Sequence, residues 1–149
     1  MSYNNHLLRL TVPLLWAGQI FLTSAHSNPA DLLPRFLIRF LWNTTIFNQR
    51  LFFLLGPLGH AFNFAVLAFL LAWALFELSL LSPARFRLTF ALSFLYALSD
   101  EIHQIFIPTR TFQIQDLIVD AFGALLGLFL FQTFTLVRQR KAELKSQLL

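Results

Sequence analysis

The chain has 149 residues, of which 57% are hydrophobic and 12% are charged, whereas soluble domains carry roughly 25% charged residues. This shortage of charge excludes a soluble domain with an ordinary polar surface, and it predicts an all-α integral membrane protein. The absence of cysteine excludes disulfides, zinc–thiolate sites and cysteine nucleophiles. The net charge of +4 arises from basic residues that are scattered or flank apolar runs, so we expect no nucleic-acid partner.

Four apolar runs predict a membrane-spanning four-helix bundle, with spans at residues 7–24, 58–81, 88–107 and 114–137. Each run is near the roughly 20 residues that a spanning helix needs. A signal peptide is the alternative for the first run, because Arg9 stands at its start and Ser24 at its end. The length of the run favours a retained helix. Gly56-Pro57 is expected to precede the second span, and Ser82-Pro83 predicts a tight turn before the third.

The first connection is predicted to contain an amphipathic helix. Asp31 can cap it, Arg35 and Arg39 lie four residues apart, and apolar residues follow helical spacing at Leu33, Phe36, Leu37, Phe40 and Leu41. Such a helix is suited to the lipid headgroup region. A helix that packs over the mouth of the bundle is an equal alternative.

Lysine and arginine predict the orientation in the membrane. Four spans place seven basic residues on the side of the two termini, namely Arg9, Arg85, Arg87, Arg138, Arg140, Lys141 and Lys145. The opposite side has four, namely Arg35, Arg39, Arg50 and Arg110. Both termini are therefore predicted to be cytoplasmic, and residues 138–149 are predicted to form a basic tail at anionic lipid.

Polar side chains interrupt the third and fourth runs near the side opposite the termini. The run Ser99-Asp100-Glu101-Ile102-His103-Gln104 is followed by Arg110, Asp116 and Asp120. Asp100 lies roughly 18 Å along the third helix, which places it in the outer half of the bilayer, and His60 and Asn63 come from the same side. Ionisable groups are costly inside a membrane, so this convergence predicts a functional site.

Helical spacing groups these residues into faces. Asp100, His103 and Gln104 share one face of the third helix, whereas Glu101 lies about 100° away. On the fourth helix, Asp116 and Asp120 share a face with a small-residue pattern, Gly123-x-x-x-Gly127, which is typical of closely packed membrane helices. The acids of the fourth helix are therefore predicted to point into a helix contact. Arg110 is the predicted counter-charge for one or two acids.

At these residues the chain resembles a known family. The run Leu95-Tyr96-Ala97-Leu98-Ser99-Asp100-Glu101-Ile102-His103-Gln104 is followed by Phe106, Pro108-Thr109-Arg110, Asp116 and Gly123-Ala124-Leu125-Leu126-Gly127. These residues resemble the VanZ-like family of small bacterial membrane proteins, whose founder is linked to teicoplanin resistance. Weaker similarities lie at Trp16-Ala17-Gly18-Gln19-Ile20-Phe21 and His60-Ala61-Phe62. The resemblance implies a protein of the bacterial inner membrane.

Three features of the sequence depart from the family pattern. Asp120 stands where the family usually has Asn, and Thr109 stands where the turn before the Arg often has Gly. Gly56-Pro57 stands where an Asp-Lys pair often precedes the second-helix His, which weakens any role carried over to His60.

Two functions are compatible with these residues. The first is an accessory protein of the cell envelope with an outward-facing polar cavity, which binds an anionic membrane lipid, a lipid-linked cell-wall precursor or a glycopeptide and so lowers teicoplanin susceptibility. The expected binding residues are Asp100, Glu101, His103, Gln104, Arg110, Asp116, Asp120 and His60. Arg110 would hold the anionic group.

The second is an intramembrane hydrolase or transferase that acts on a lipid-linked phosphate. Glu101, Asp100 and His103 are its candidate catalytic residues, and no cofactor is expected other than a divalent metal. The expected ligands of that metal are Asp100, Glu101, His103, Asp116 and Asp120. One histidine with several carboxylates suits Mg²⁺ or Mn²⁺ better than Zn²⁺. A third interpretation is purely structural, in which the cluster is a buried network that fixes the helix arrangement. The ligand and the oligomeric state stay open.

Overall fold

The structure is a computed structural model that describes residues 3–27, 32–46, 48–76 and 82–147. The elements in chain order are α1 (Tyr3–Ser24), α2 (Arg35–Asn43), β1 (Thr45–Ile46), β2 (Gln49–Arg50), α3 (Leu51–Leu75), α4 (Ser82–Gln104) and α5 (Ile114–Gln147). The predicted all-α class is confirmed, and the small antiparallel hairpin β1–β2 between α2 and α3 is the one addition in the described ranges. Asn48 turns this hairpin with a left-handed φ of 62°, which asparagine tolerates better than most residues.

Among the described residues, two helices, α3 and α5, are long and apolar enough to cross a membrane. The helices α1 and α4 have 22 and 23 residues, or roughly 33–35 Å of helix at the standard rise, which also exceeds a hydrocarbon core of about 30 Å. Helix α4 does not reach the same apolarity, because it carries Arg85, Arg87, Asp100 and Glu101. The four-span arrangement therefore stays a prediction.

Helix α3 is the central element, because it contacts α1, α4 and α5. Its residues belong to both clusters of buried apolar side chains. In one cluster Phe64 and Leu67 pack with Ile20 and Ala97. In the other, α3 meets α5, and the cluster consists of Ala68, Ala72, Ala124 and Leu128.

Helices α3 and α5 pack closely because α5 has glycine where it crosses α3. A Cβ added at Gly123 would lie 2.9 Å from Ala61 Cα, and one added at Gly127 would lie 2.8 Å from the carbonyl carbon of Ala65. Both distances are shorter than a real Cβ contact allows. The predicted tight contact at Gly123-x-x-x-Gly127 is confirmed.

Several helix boundaries differ from the predicted spans. Helix α3 begins at Leu51, seven residues before the predicted span, and contains Gly56 and Pro57. At residue 57, proline removes one backbone hydrogen bond of the helix. Gly56 before it has no Cβ, so it avoids the clash that a side chain at this position would make with the proline ring. Helix α4 begins at Ser82, with Pro83 in its first turn, where proline is tolerated. Helix α5 continues without a break through the basic tail to Gln147.

The predicted amphipathic segment forms α2, although its proposed cap, Asp31, lies outside the described residues. None of its side chains is buried, and Phe36 and Phe40 are 76% and 60% exposed. Trp42 packs edge-on against Phe52 at 5.2 Å between ring centroids, which holds the end of α2 against the start of α3. Helix α2 therefore keeps apolar side chains uncovered by the rest of the chain.

We predict that Gly127→Ala destabilises the protein and that Gly18→Ala does not. The new methyl group at residue 127 meets the backbone of Ala65, and overpacking of this kind costs about 1–3 kcal/mol. A Cβ at Gly18 meets nothing within 4 Å, and alanine favours a helix over glycine. Thermal unfolding in detergent, followed by circular dichroism, measures both. Equal midpoints for Gly127→Ala and wild type would contradict the packing described here.

Candidate functional site

The last turn of α4 carries Asp100 into a hydrogen-bonded group with the end of α1. Asp100 Oδ2 accepts from Ser24 Oγ at 2.8 Å and from Gln104 Nε2 at 3.1 Å. Asp100 and Gln104 meet because they lie four residues apart on one helix face. Asp100 is only 4% exposed, and its Oδ1 has no hydrogen-bond partner in the described structure. One oxygen of this carboxylate is thus free to accept from a ligand.

Glu101 connects the end of α4 to the start of α5. Its Oε1 accepts from Gln104 Nε2 at 3.2 Å, and its Oε2 accepts from the backbone N–H of Gln113 at 2.8 Å. Gln113 immediately precedes α5, so this bond fixes where α5 begins relative to α4. The side chain of Glu101 is completely buried.

His60 lies between two acids of α5. Its Nδ1 is 3.0 Å from Asp120 Oδ1, and its Nε2 is 3.7 Å from Asp116 Oδ2. His60, Glu101 and Asp120 each offer a ligand atom, and these three atoms lie within 4.8 Å of one another. We call these three residues the His60–Glu101–Asp120 cluster. It is assembled from three helices, and it can bind a divalent cation or share protons.

His103 and Arg110 lie apart from this cluster. His103 stacks on Phe21, with 4.3 Å between ring centroids, and makes no ion pair with an acid in the described ranges. Arg110 follows Thr109, which has a left-handed φ of 69°, a conformation that is costly for a β-branched residue. Within those ranges Arg110 has no carboxylate within ion-pair distance, and its Nε has no hydrogen-bond partner. The predicted pairing of Arg110 with the acids is therefore not formed in the part of the chain that the structure describes.

Arg110 and Asp100 border a cavity of about 490 Å³ between α1, α3 and the connection before α2. Most of its walls are apolar, and its polar groups include Ser24, His60 and Asn63. The apolar lining consists of Ile20, Leu32, Leu33, Phe52, Leu55, Gly56, Gly59 and Phe64. The cavity therefore combines an apolar wall with an arginine and a carboxylate.

Comparison with known proteins shows the family. The family model described as VanZ/LLP1 matches residues 10–136. The chain belongs to the VanZ/LLP1 family. Neither the curated proteins nor the solved structures contain a significant match to it. Family membership, together with the two apolar helices, indicates a membrane protein of the cell envelope.

The part that matches VanZ/LLP1 contains every residue of the site described above. Within it, six of the eight predicted binding residues form two connected groups, and His103 and Arg110 belong to neither. Asp100 and Gln104 lie with Ser24, and His60 lies with Glu101, Asp116 and Asp120. Gln104 Nε2, which contacts both Asp100 and Glu101, joins the groups.

Sequence reasoning did not assign a role to Ser24. It is 8% exposed and contacts both Asp100 and Gln104. The sequence feature that could have indicated a role for Ser24 is its position, because it ends the first apolar run at the same side of the bundle as the acids. Its hydroxyl contact required the tertiary structure, since 76 residues separate Ser24 from Asp100.

We predict that Ser24→Ala lowers the free energy of unfolding by about 1–3 kcal/mol, because it removes a donor from a buried carboxylate. Ser99→Ala is the matched control. Ser99 is exposed, and its hydroxyl donates to the carbonyl of Tyr96 in its own helix, so we expect a change within about 0.5 kcal/mol. Denaturant unfolding in mild detergent measures the difference. Equal decreases in the free energy of unfolding for the two variants would show that the Ser24–Asp100 hydrogen bond stabilises the fold no more than an exposed hydrogen bond does.

Proposed function

We propose that α1, α3, α4 and α5 all cross the bacterial inner membrane, with both termini in the cytoplasm. The four helices are long enough to span, and basic residues are more numerous at the end that holds the termini. Helix α2 then lies in the outer headgroup region, where its uncovered Phe36 and Phe40 contact lipid. The cavity opens toward the outer leaflet.

This topology predicts opposite labelling of two single-cysteine variants, which the chain permits because it has no native cysteine. In intact cells, Asn43→Cys at the end of α2 reacts with a membrane-impermeant maleimide. Ser146→Cys, near the end of α5, reacts only after the cells are permeabilised. Both positions are exposed in the fold. Labelling of both variants in intact cells, or of Ser146→Cys alone, would contradict the topology.

We further propose that the protein is an accessory protein of the cell envelope that binds an amphiphile with an anionic headgroup. The observation that carries this proposal is the cavity whose apolar walls meet a guanidinium, Arg110, that has no carboxylate partner in the described ranges. Arginine binds phosphate and carboxylate groups through paired, charge-assisted hydrogen bonds. A volume of about 490 Å³ lies within the usual range for ligand sites.

Asp100 supports the same ligand chemistry. Its unpartnered Oδ1 accepts a hydrogen bond from a hydroxyl or amine beside the anionic group. Anionic phospholipids and lipid-linked cell-wall precursors both have this combination of groups. The link of the family's founder to teicoplanin leads to the finer proposal that ligand binding here reduces the access of a glycopeptide to its target.

A metal-dependent hydrolase or transferase acting on a lipid-linked phosphate is the second candidate. The observation that favours it is the His60–Glu101–Asp120 cluster, whose ligand atoms converge within 4.8 Å. His60 also borders the cavity, so a substrate phosphate in the cavity lies near this cluster. Turnover of a lipid phosphate by the purified protein, lost in Glu101→Gln, would favour this candidate over simple binding.

We predict that Arg110→Ala releases a bound anionic lipid, whereas Arg87→Ala does not. Loss of a charge-assisted hydrogen bond costs roughly 1.5–3 kcal/mol, or about tenfold to a hundredfold in affinity. Arg87 is an exposed residue near the opposite end of α4 and serves as the matched control. Native mass spectrometry of protein loaded with phosphatidylglycerol or phosphatidylethanolamine measures lipid retention.

Equal retention of the two lipids by the wild type, or equal losses from both variants, would contradict an anion site at Arg110. Expression of the same variants in a teicoplanin-susceptible host tests the finer proposal separately. We expect wild type and Arg87→Ala to raise the inhibitory concentration of teicoplanin and Arg110→Ala to leave it unchanged.

A further inference from the structure

We propose that His60, Glu101 and Asp120 bind one hard divalent cation, Mg²⁺ or Mn²⁺, and that Asp116 orients His60 for this role. The site does not depend on the proposed amphiphile, because Arg110 is not one of its ligands. It also differs from the ligand set that the sequence indicates, since His60 takes the place of His103.

The spacing of the three ligands fits a cation. Mg²⁺ binds oxygen at about 2.1 Å in an octahedral arrangement, so neighbouring ligand atoms lie about 3.0 Å apart and opposite ones about 4.2 Å apart. His60 Nδ1 and Asp120 Oδ1 are 3.0 Å apart, and all three ligand atoms lie within 4.8 Å. The first of these separations matches neighbouring octahedral positions, and the ligand atoms need only draw closer together to surround one ion. One imidazole with carboxylates is a donor set for Mg²⁺ or Mn²⁺.

Buried polar atoms at the cluster point independently to a missing partner. Asp120 is completely buried, and its Oδ2 has no hydrogen-bond partner in the described ranges. Glu101 is also completely buried. In those ranges the ion pairs of the site are the two between His60 and the acids of α5. Buried carboxylates without enough positive charge are costly, and a divalent cation supplies that charge.

The surroundings of His60 resemble those of a metal-bound histidine. When Nδ1 binds a cation, Nε2 carries the proton and faces Asp116 Oδ2, which is 3.7 Å away. Metal-bound histidines usually donate their second N–H to a carboxylate or carbonyl, and Asp116 Oδ2 lies just beyond hydrogen-bond distance for that role. Glu101 is held by the backbone N–H of Gln113 and by Gln104, as ligating carboxylates commonly are. Glu101 therefore has its orienting partners in place, and Asp116 is close enough to become one for His60 when an ion is bound.

The test is a Mn²⁺ titration of the full chain in detergent, followed by electron paramagnetic resonance. We expect one site in the wild type, and its loss in Glu101→Gln and Asp120→Asn. Asp116→Asn should weaken binding about 10–100-fold, because it removes an orienting partner and no ligand. Glu143→Gln, at an exposed position in the last turns of α5, should bind as the wild type does. Competition by Mg²⁺ then shows whether the same site takes that ion.

His103→Gln separates the two histidines. His103 stacks on Phe21 away from the cluster, so this variant should keep the site. Pulsed resonance should detect coupling of Mn²⁺ to one histidine nitrogen in both wild type and His103→Gln. The proposal is overturned if the wild type binds no Mn²⁺ at millimolar concentration, if the coupling is absent, or if it disappears in His103→Gln. The measurements on wild type and His103→Gln decide the question even where Glu101→Gln or Asp120→Asn fails to fold.

Discussion

The close approach of α3 and α5 sets the positions of the polar groups around them. Gly123 and Gly127 place the backbone of α5 directly against Ala61 and Ala65 of α3. His60 precedes Ala61, and Asp120 lies one turn before Gly123, so the same contact brings the imidazole and the carboxylate to 3.0 Å. A bulkier residue at either glycine would separate the helices and the two functional groups together. In an apolar surrounding, small residues allow this proximity because backbone atoms themselves form the contact.

The second constraint is the free-energy cost of burying polar groups in an apolar bundle. In the described ranges, some of these groups have hydrogen-bond partners and others do not. Glu101 and one oxygen of Asp100 are well supplied with hydrogen bonds from Ser24, Gln104 and Gln113. Asp120 Oδ2, Asp100 Oδ1 and Arg110 Nε have none in the described ranges. A purely structural network would be expected to satisfy its buried groups. Asp100 and Arg110 border the cavity, and their unsatisfied groups support the proposal that a ligand completes this site.

Much of this arrangement could be predicted from the sequence, because periodicity and composition act locally. The helical class, the contact at Gly123-x-x-x-Gly127 and the family followed from the pattern of residues. The start of α3 could not be predicted in this way, because Gly56-Pro57 normally interrupts a helix. In the structure α3 passes through both residues. The pairing of Arg110 with an acid was expected from charge alone. The loop after α4, with Thr109 at a φ of 69°, instead places Arg110 at the cavity.

Residue type and a fixed helical period identify which residues are costly to bury in a membrane and on which helix face each lies. Which of these residues meet depends on the tertiary structure. His60 and His103 look equivalent as candidate ligands, but the packing of α3 on α5 gives His60 the acids, whereas His103 stacks on Phe21. Ser24 likewise reaches Asp100 only through the packing of the helices. Contacts between residues distant in sequence depend on how whole helices pack, and no local pattern encodes that.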